Sequence, residues 1–248
     1  MSSYPLRALV LRKTKLGETD IILTLLAEDG SQVRAVAKGM RKPGSRFAGR
    51  LEPFAASDML LHTGRSLDVL SEADTVDSHA PLREDYDAMM AASVVVDLMD
   101  KKSVQSQASE NLYGLAQATF DAMEQAEPAS LERIVTAFLL KAMALHGLKP
   151  ELESCACCAS EATGGSYFSM SSGGVLCPDC GDVSQVPFSD EGRLLLLRML
   201  RSTMAEVAGM SPDPKREHEV FDLMRRFVAY HVPARLKALD MYAGGPIA

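Results

Sequence analysis

All five cysteines of this 248-residue chain fall in one stretch, Cys155 to Cys180, which reads CACCASEATGGSYFSMSSGGVLCPDC. Cys155 and Cys158 form one CxxC pair and Cys177 and Cys180 a second, with 18 residues between the pairs. Two residues between thiolates let a tight turn bring both sulfurs to about 2.3 Å from one tetrahedral metal, and a second such turn closes the shell. The spacing predicts one structural zinc per chain, with no coordination position left open for chemistry. Two other readings of the same residues are free thiols in a reduced loop and a thioredoxin-like redox pair, although one redox motif leaves the second pair unexplained. Cys157 is surplus. It could replace Cys158 only by shortening the chelate turn, and is read as a bystander. The intervening loop, with Gly164, Gly165, Gly173 and Gly174 around Tyr167, Phe168 and Met170, reads as a strand and turns too small to hold themselves without a staple.

The second chemical feature is charge. The chain carries a net charge of −7, which by itself argues against a nucleic-acid partner. That average conceals a division: residues 1 to 80 hold 11 Lys or Arg against 10 Asp or Glu, so the excess of acid lies entirely beyond them. Within the first part, SQVRAVAKGMRKPGSRFAGR (31 to 50) contains six basic residues and no acidic one. Strand alternation places Arg34, Val36 and Lys38 on one face and Val33, Ala35 and Ala37 on the other. The loop that follows supplies Arg41, Lys42, Arg46 and Arg50, with Pro43, Gly44 and Gly49 keeping its backbone irregular. A basic groove of this kind neutralises phosphates, and an aromatic within it stacks on bases. Phe47 has two possible roles, a stacking platform or a plug of the underlying fold. A second group of cations, Arg7, Arg12, Lys13 and Lys15, is the alternative location for such a site.

Other motifs carry little chemistry. His62, His79, His146, His218 and His231 are scattered and form no HExxH pair, and each is expected at the surface or a helix end. The sequence has no GxxxxGK[ST], GxSxG or GxGxxG, so nucleotide hydrolysis and acyl transfer have no visible machinery. Glu18 and Asp20 flank Thr19 before a strand, where turn chemistry explains them better than acid/base catalysis. The methionines on helical apolar faces, such as Met89, Met99, Met123 and Met143, read as core filling.

These residues need elements to position them. Five short apolar runs, LRALVL, DIILTLLA, SQVRAVAK, ASDMLLH and SLDVLSE, occupy residues 6 to 72 and are separated by turn signals. Five short antiparallel strands suit a small closed barrel of the OB type; the count alone leaves an SH3-like barrel open. From Pro81 the apolar period changes to about 3.6, predicting helices over about 82 to 101, 107 to 126, 131 to 146, 190 to 208 and 215 to 231. In the third, Leu131, Ile134, Val135, Phe138, Leu139, Ala142 and Leu145 share a face, and Ser130 is placed to cap its start. The chain is thus expected to be an α+β multi-domain protein. An OB-like nucleic-acid-binding domain (1 to 80) precedes a helical domain (81 to 248), which is interrupted at about 151 to 185 by the four-cysteine zinc module.

No apolar run approaches the roughly 20 residues of a membrane span. The opening MSSYPLRALVLRKTK lacks the pattern of a secretory signal, so a cytosolic protein with reduced thiols is expected.

The segments GETDIILTLLAEDGSQVRAVAKGMRKPGSRFAGRLEPFAASDMLL and SLDVLSEADTVDSHAPLRED, the two CxxC pairs with FSMSSGGVLCPDC, and the closing HVPARLKALDMY together resemble the RecO family of bacterial DNA repair and recombination-mediator proteins. The resemblance covers nearly the whole chain, with GxxDxxxxLL and AxxKGxRxxxSRFxGxLxPF as its more specific parts. It implies an N-terminal OB-fold, a helical C-terminal domain, and a zinc-binding insertion on Cys155, Cys158, Cys177 and Cys180. It also implies a non-enzymatic, nucleoid-associated protein that binds single- and double-stranded DNA and anneals complementary strands. Such proteins act with RecR and help load the RecA recombinase onto strands coated with single-stranded-DNA-binding protein (SSB). The DNA-binding role falls on Arg34, Lys38, Arg41, Lys42, Arg46 and Arg50. Cys157 departs from the family's pattern, and some members lack the cysteines, so the metal is not essential to the family's activity.

The implied SSB contact is an acidic, apolar-ended C-terminal tail, which needs a locally basic pocket. Arg193, Arg198 and Arg201 around Leu194 to Leu197 offer one place and Arg225 and Arg226 beside Phe227 another, with the first preferred; solvated helix-face arginines are the plainer reading. The competing class for the whole protein is a zinc-ribbon interaction module whose barrel contacts RNA or protein. An enzyme is the third class and the weakest, since no nucleophile, base and open metal site converge.

Overall fold

The first strand does two jobs. β1 (Ser3–Leu16) pairs antiparallel with β4 (Ala56–His62) along its first half, from Ser3 opposite His62 to Leu9 opposite Ala56. Its second half pairs with β2 (Asp20–Ala27), ending with Leu16 opposite Asp20. A register shift between Val10 and Arg12 bends the strand from one neighbour to the other, as bulges do. β3 (Gln32–Ala37) lies antiparallel to β2, and β5 (Asp68–Asp77) antiparallel to β4. The barrel closes where β5 meets β3 in parallel, Ala35 opposite Asp68 and Val36 opposite Val69, giving the cyclic order β1-β2-β3-β5-β4. That crossed closure is the OB solution and settles the choice that strand count left open. Its interior is filled by alternating residues, among them Ala8, Val10, Leu23, Leu25, Ala35, Ala37 and Leu61.

The structure, a computed structural model, describes residues 2–47, 49–103, 111–161, 166–182 and 184–244. The chain forms two compact units, Met1–Phe120 and Asp121–Ala248. Strands give way to helices near residue 80, but the barrel's unit continues through α1 (Pro81–Glu84), α2 (Tyr86–Lys102) and most of α3 (Leu112–Glu124). Asp85 is extended and caps α2 by accepting the Ala88 N–H at 2.8 Å, which splits the helix expected from 82. α2 packs on β1 and β2, and Gln32 Nε2 donates to the Asp100 carbonyl and Ser103 Oγ at its end. α3 realises part of the helix expected over 107 to 126; positions 107 to 110 lie outside the described residues.

In the second unit α4 (Leu131–Leu145) is the central helix. It buries residues on nearly every side, so the expected single apolar face is too narrow a description, and Leu145 is the exposed exception. Ser130 does not cap it. Its hydroxyl instead accepts from Arg133 Nη2 at 2.9 Å, because Arg133 is buried and needs acceptors. The segment expected as one helix over 190 to 208 is two: α5 (Asp190–Arg201) and α6 (Met204–Ala208). Thr203, extended between them, forms a reciprocal capping box with Glu206 that favours a fresh helix over continuation. α7 (Pro214–His231) is capped by Asp213, and α8 (Lys237–Tyr242), too short for a periodic signal, follows it. Between α4 and α5 stands a three-stranded sheet in the order β7-β6-β8, made of β6 (Ser166–Ser169), β7 (Gly174–Leu176) and β8 (Val186–Phe188). Among the described residues no helix is long and apolar enough to cross a membrane.

Candidate nucleic-acid interface and metal centre

The loop from Lys38 to Ala55 folds back over the barrel because three of its apolar residues, Met40, Phe47 and Leu51, belong to the barrel core. Phe47 is 3% exposed, so it is the plug and not a stacking platform for bases. The guanidinium of Arg46 lies 4.9 Å from its ring centroid, covering the plug with a cation. Successive turns, with Lys42 N–H donating to Gly39 O at 3.0 Å and Ser45 N–H to Lys42 O at 3.1 Å, leave the charged residues between these anchors outside.

Arg34, Lys38, Lys42 and Arg46 are exposed and have no ion pair among the described residues. Val36, expected beside Arg34 and Lys38 on the outer face, is buried. Arg41 is exposed but tied down: its Nη1 donates to the Glu18 carbonyl at 2.9 Å and the Gly17 carbonyl at 3.3 Å in the β1–β2 turn. These acceptors are neutral, so the charge persists while the side chain is held. Arg50 faces the other way, donating to the Ala73 carbonyl and lying 3.5 Å from Asp74.

Asp20 organises the junction between turn and loop. Its Oδ1 accepts the Gly39 N–H at 2.8 Å and the Thr19 hydroxyl at 2.9 Å, which is the turn role expected of it. The Gly39 N–H first, then Thr19, with Lys38 and Lys42 adding attraction, hold the Asp20 carboxyl below its ordinary range. Three of the alternative cations are occupied: Arg7 forms a two-bond pair with Asp58, Arg12 pairs with Asp100 and Lys13 with Glu52. Arg65, in the β4–β5 turn, is a further exposed cation on this unit that the sequence pattern did not single out.

The second unit brings Cys155, Cys158, Cys177 and Cys180 together, with all four sulfurs within 4.8 Å of one another. None forms a disulfide. Cys158 Sγ and Cys177 Sγ are 3.7 Å apart, close to the roughly 3.8 Å edge of a tetrahedron with 2.3 Å metal–sulfur bonds. The two pairs are built alike. Ala159 N–H donates to Cys155 O at 2.9 Å, and Gly181 N–H to Cys177 O at 2.9 Å. Gly181 is needed for space as well, since a Cβ there would lie 2.2 Å from the Tyr167 ring. Burial pushes the Cys155 thiol up, but the N–H groups of Cys158, Cys177 and Cys157 outweigh it and bring it to about 6. The sulfurs of Cys158 and Cys177 push the Cys180 thiol up. Four convergent thiols with backbone donors suit a thiophilic metal. The module is fixed to the helices by Phe168, whose ring makes edge contacts with Phe188 at 6.0 Å and Phe227 at 5.8 Å.

The arginines of α5 have different fates. Arg193 is buried, donating to Asp190 at 2.7 Å and the Leu152 carbonyl at 3.0 Å, so it is a structural tie and not a free cation. Arg201 pairs with Glu153 at 2.7 Å, and Arg198 is exposed one turn from exposed Leu194. Phe227 is buried. An apolar groove of about 300 Å³ lies at the end of α7 and along α8, lined by Val228, Val232, Pro233, Leu236 and Leu239 together with Arg225, Arg235 and Asp240. His79, expected at the surface or a helix end, is fully buried, 5.2 Å from the Phe120 ring and bonded through Nε2 to Gln117.

An OB-order barrel under a cationic lid, followed by a helical unit that carries a four-thiol cluster, defines a class of two-unit barrel-plus-helix proteins. The family comparison gives the particular member of that class. The Recombination protein O N terminal model matches residues 1–79 and the C terminal model residues 83–240, and the chain belongs to the RecO family. It is 41% identical over 179 residues to a DNA repair protein RecO of Bifidobacterium longum (strain DJO10A), covering 71% of this chain and 74% of that one. It is 31% identical to one from Pelotomaculum thermopropionicum over 99% and 97% of the two chains. For one from Desulforamulus reducens the figures are 29% over 97% and 94%.

Proposed function

We propose that this chain is a DNA-binding recombination mediator in DNA repair. It binds and anneals single strands, also engages double-stranded DNA, and with RecR helps load RecA onto strands coated with SSB. The observation that carries this reading is the basic surface: Met40, Phe47 and Leu51 pin the lid to an OB barrel while its Lys38, Lys42 and Arg46, and Arg34 of β3, stay exposed with no salt bridge among the described residues. Unpaired cations on a fixed surface release counterions from phosphates without first breaking an ion pair. Such a role needs no bond chemistry. Annealing requires only that two strands be held with their phosphates neutralised and their bases unread, and a surface with Phe47 withdrawn suits backbone contact over base contact.

In the same reading the four cysteines hold one structural zinc ion, which on binding cross-links the two CxxC turns. The donor set and the 3.7 Å sulfur separation support it. The SSB tail is assigned to the groove of Arg225 and Arg235, since it sets two arginines beside Val228, Val232, Leu236 and Leu239, whereas Arg193 of α5 is buried.

The test is a fluorescence-anisotropy titration of oligothymidylate at several salt concentrations. Four phosphate contacts give a slope of about −3 in log K against log salt, and replacing Arg34, Lys38, Lys42 and Arg46 by Ala should abolish most of it. A four-fold variant that kept the parent slope would place the DNA elsewhere. Tighter binding to RNA than to DNA would favour the interaction-module reading instead.

A further inference from the structure

The geometry points to a second phosphate anchor on the barrel, formed by Arg65 of the β4–β5 turn with Arg34 of β3, which contacts the strand away from the lid. Both arginines line one polar pocket of about 220 Å³, together with Tyr4, Ser31, Gln32, Val33, Gly64, Ser66 and Asp68. They come from positions 31 residues apart in sequence, so no charge run reveals them; the barrel closure brings them together by laying β5 parallel to β3, with Ala35 opposite Asp68.

The turn that carries Arg65 is built, not loose. Asp68 Oδ1 accepts the Gly64 N–H at 3.0 Å, and its other oxygen accepts the Tyr4 hydroxyl from β1. Gly64 admits no side chain: a Cβ there would lie 1.8 Å from the Leu67 carbonyl oxygen. The turn is thus latched at both ends, and Arg65 projects from a fixed mount. Burial, and then the bond to Asp68, push the Tyr4 phenol up, so it remains a donor at neutral pH and the latch stays closed. Both oxygens of the Asp68 carboxylate in the pocket wall are engaged, while Arg34 and Arg65 are exposed with no ion pair among the described residues. The neighbouring Gln32 amide is committed to the Asp100 carbonyl and Ser103. What the pocket offers is therefore two cations against one carboxylate whose oxygens are both engaged, a net positive charge that suits a phosphodiester oxygen better than a base edge. OB folds present oligonucleotides to the β2–β3 face and to the β4–β5 loop, and this pocket sits where those two meet.

The inference rests on the reading of the barrel as a DNA-binding surface, and extends the path of the strand beyond the lid. It is tested with the full chain, oligothymidylate and the same salt series. Replacing Arg65 by Ala should remove about 0.7 from the magnitude of the slope and weaken binding about fivefold near 0.1 M salt, and Arg65→Lys should restore the slope. Its thermal midpoint should match the parent, because Arg65 holds nothing in the fold. Arg65→Ala binding with the parent slope, alongside a lid variant (Lys38→Ala, Lys42→Ala and Arg46→Ala) that loses slope, would overturn the second anchor and leave the lid standing. If neither variant changed the slope, the barrel reading and the anchor would fall together.

Discussion

Asp20 Oδ1 accepts the backbone N–H of Gly39 at 2.8 Å, joining the start of β2 to the root of the cationic lid. Because the same carboxylate lies near Lys38 and Lys42, one buttress both shapes the loop and sets its local field. The bond has a direction in pH. Its carboxyl is depressed in the folded chain, so its contribution is complete above the ordinary aspartate range of about 3.9 and is lost as pH falls through the lower folded value. Hydrogen exchange at the Gly39 amide should therefore stay protected, after correction for intrinsic rate, down through that range and fail only below it. Asp20→Ala should remove the protection at every pH. Equal protection in the variant would separate the loop from the turn.

Phe47 gives a prediction that separates fold from contact. As a barrel plug its replacement by Ala should cost about 3 kcal/mol or more of stability, the range for a buried aromatic. Phe47→Leu should recover most of that stability and bind single strands like the parent when both are folded. Urea melts and anisotropy at a denaturant-free temperature check both halves. A folded Phe47→Leu with sharply weaker binding would return the ring to a stacking role.

Metal removal should act on one unit only. Purified protein should contain near-stoichiometric zinc, and Cys177→Ser with Cys180→Ser should lose it, because two thiolates cannot close the tetrahedron. Cys157→Ser should keep it, since Cys157 lies outside the four-sulfur cluster. The lid belongs to the barrel's unit, so single-strand binding should survive the double replacement. Elemental analysis and anisotropy on the same preparations decide; full zinc in the double variant is the outcome that defeats the assignment.

The buried pair of Arg133 and Glu217, at 2.5 Å, should be the costliest contact to break in the second unit. Removing one partner leaves an uncompensated buried charge, so Glu217→Gln should lose about 3 kcal/mol. Arg133 also donates to the Val207 and Ala208 carbonyls at 2.8 Å each. Replacing both partners by apolar residues should therefore not restore the parent, because the Ala208 carbonyl loses its Arg133 donor at about 1 to 3 kcal/mol, while the Val207 carbonyl keeps the Met210 N–H. Chemical denaturation of the single and double variants reads this, and full recovery in the double variant would contradict it.

How much of this was legible beforehand depends on the range of the interaction concerned. The limits of β2 and β4 follow directly from DIILTLLA and ASDMLLH, since a short apolar run bounded by turn signals is a local pattern. The cysteine spacing likewise predicts the cluster, because chelate turns are local geometry. What failed was decided at a distance. Ser130 has the right type for a cap but is claimed by Arg133, a residue buried through contacts with α6 and α7. Arg193 has the charge expected of a docking site but is used up on Asp190 and Leu152. Phe47, whose two roles the sequence left open, is drawn inward to fill the barrel core. Arg65 carries no local signal, and only the crossed strand order places it beside Arg34.

The SSB tail supplies the last prediction. An acidic peptide ending in an apolar residue needs a greasy slot with cations at its mouth, and it must find them on a unit whose charge is negative overall. The groove at the end of α7 is lined by Val228, Val232, Leu236 and Leu239 together with Arg225 and Arg235. Both arginines are moderated by neighbours, Arg225 by Asp222 at 3.3 Å and Arg235 by Asp240 at 2.6 Å. A docking carboxylate would have to share or displace those partners, so binding should be weak and salt-sensitive. It should also tighten when Asp240 is replaced by Asn, which frees Arg235. Exposed pairs of this kind are worth about 1 kcal/mol or less, so the gain should be no more than about fivefold. Arg198→Ala with Arg201→Ala should leave the affinity of a fluorescent tail peptide unchanged, while Arg225→Ala with Arg235→Ala should abolish it and spare oligothymidylate binding. Loss in the α5 variant with retention in the other would move the docking site to α5.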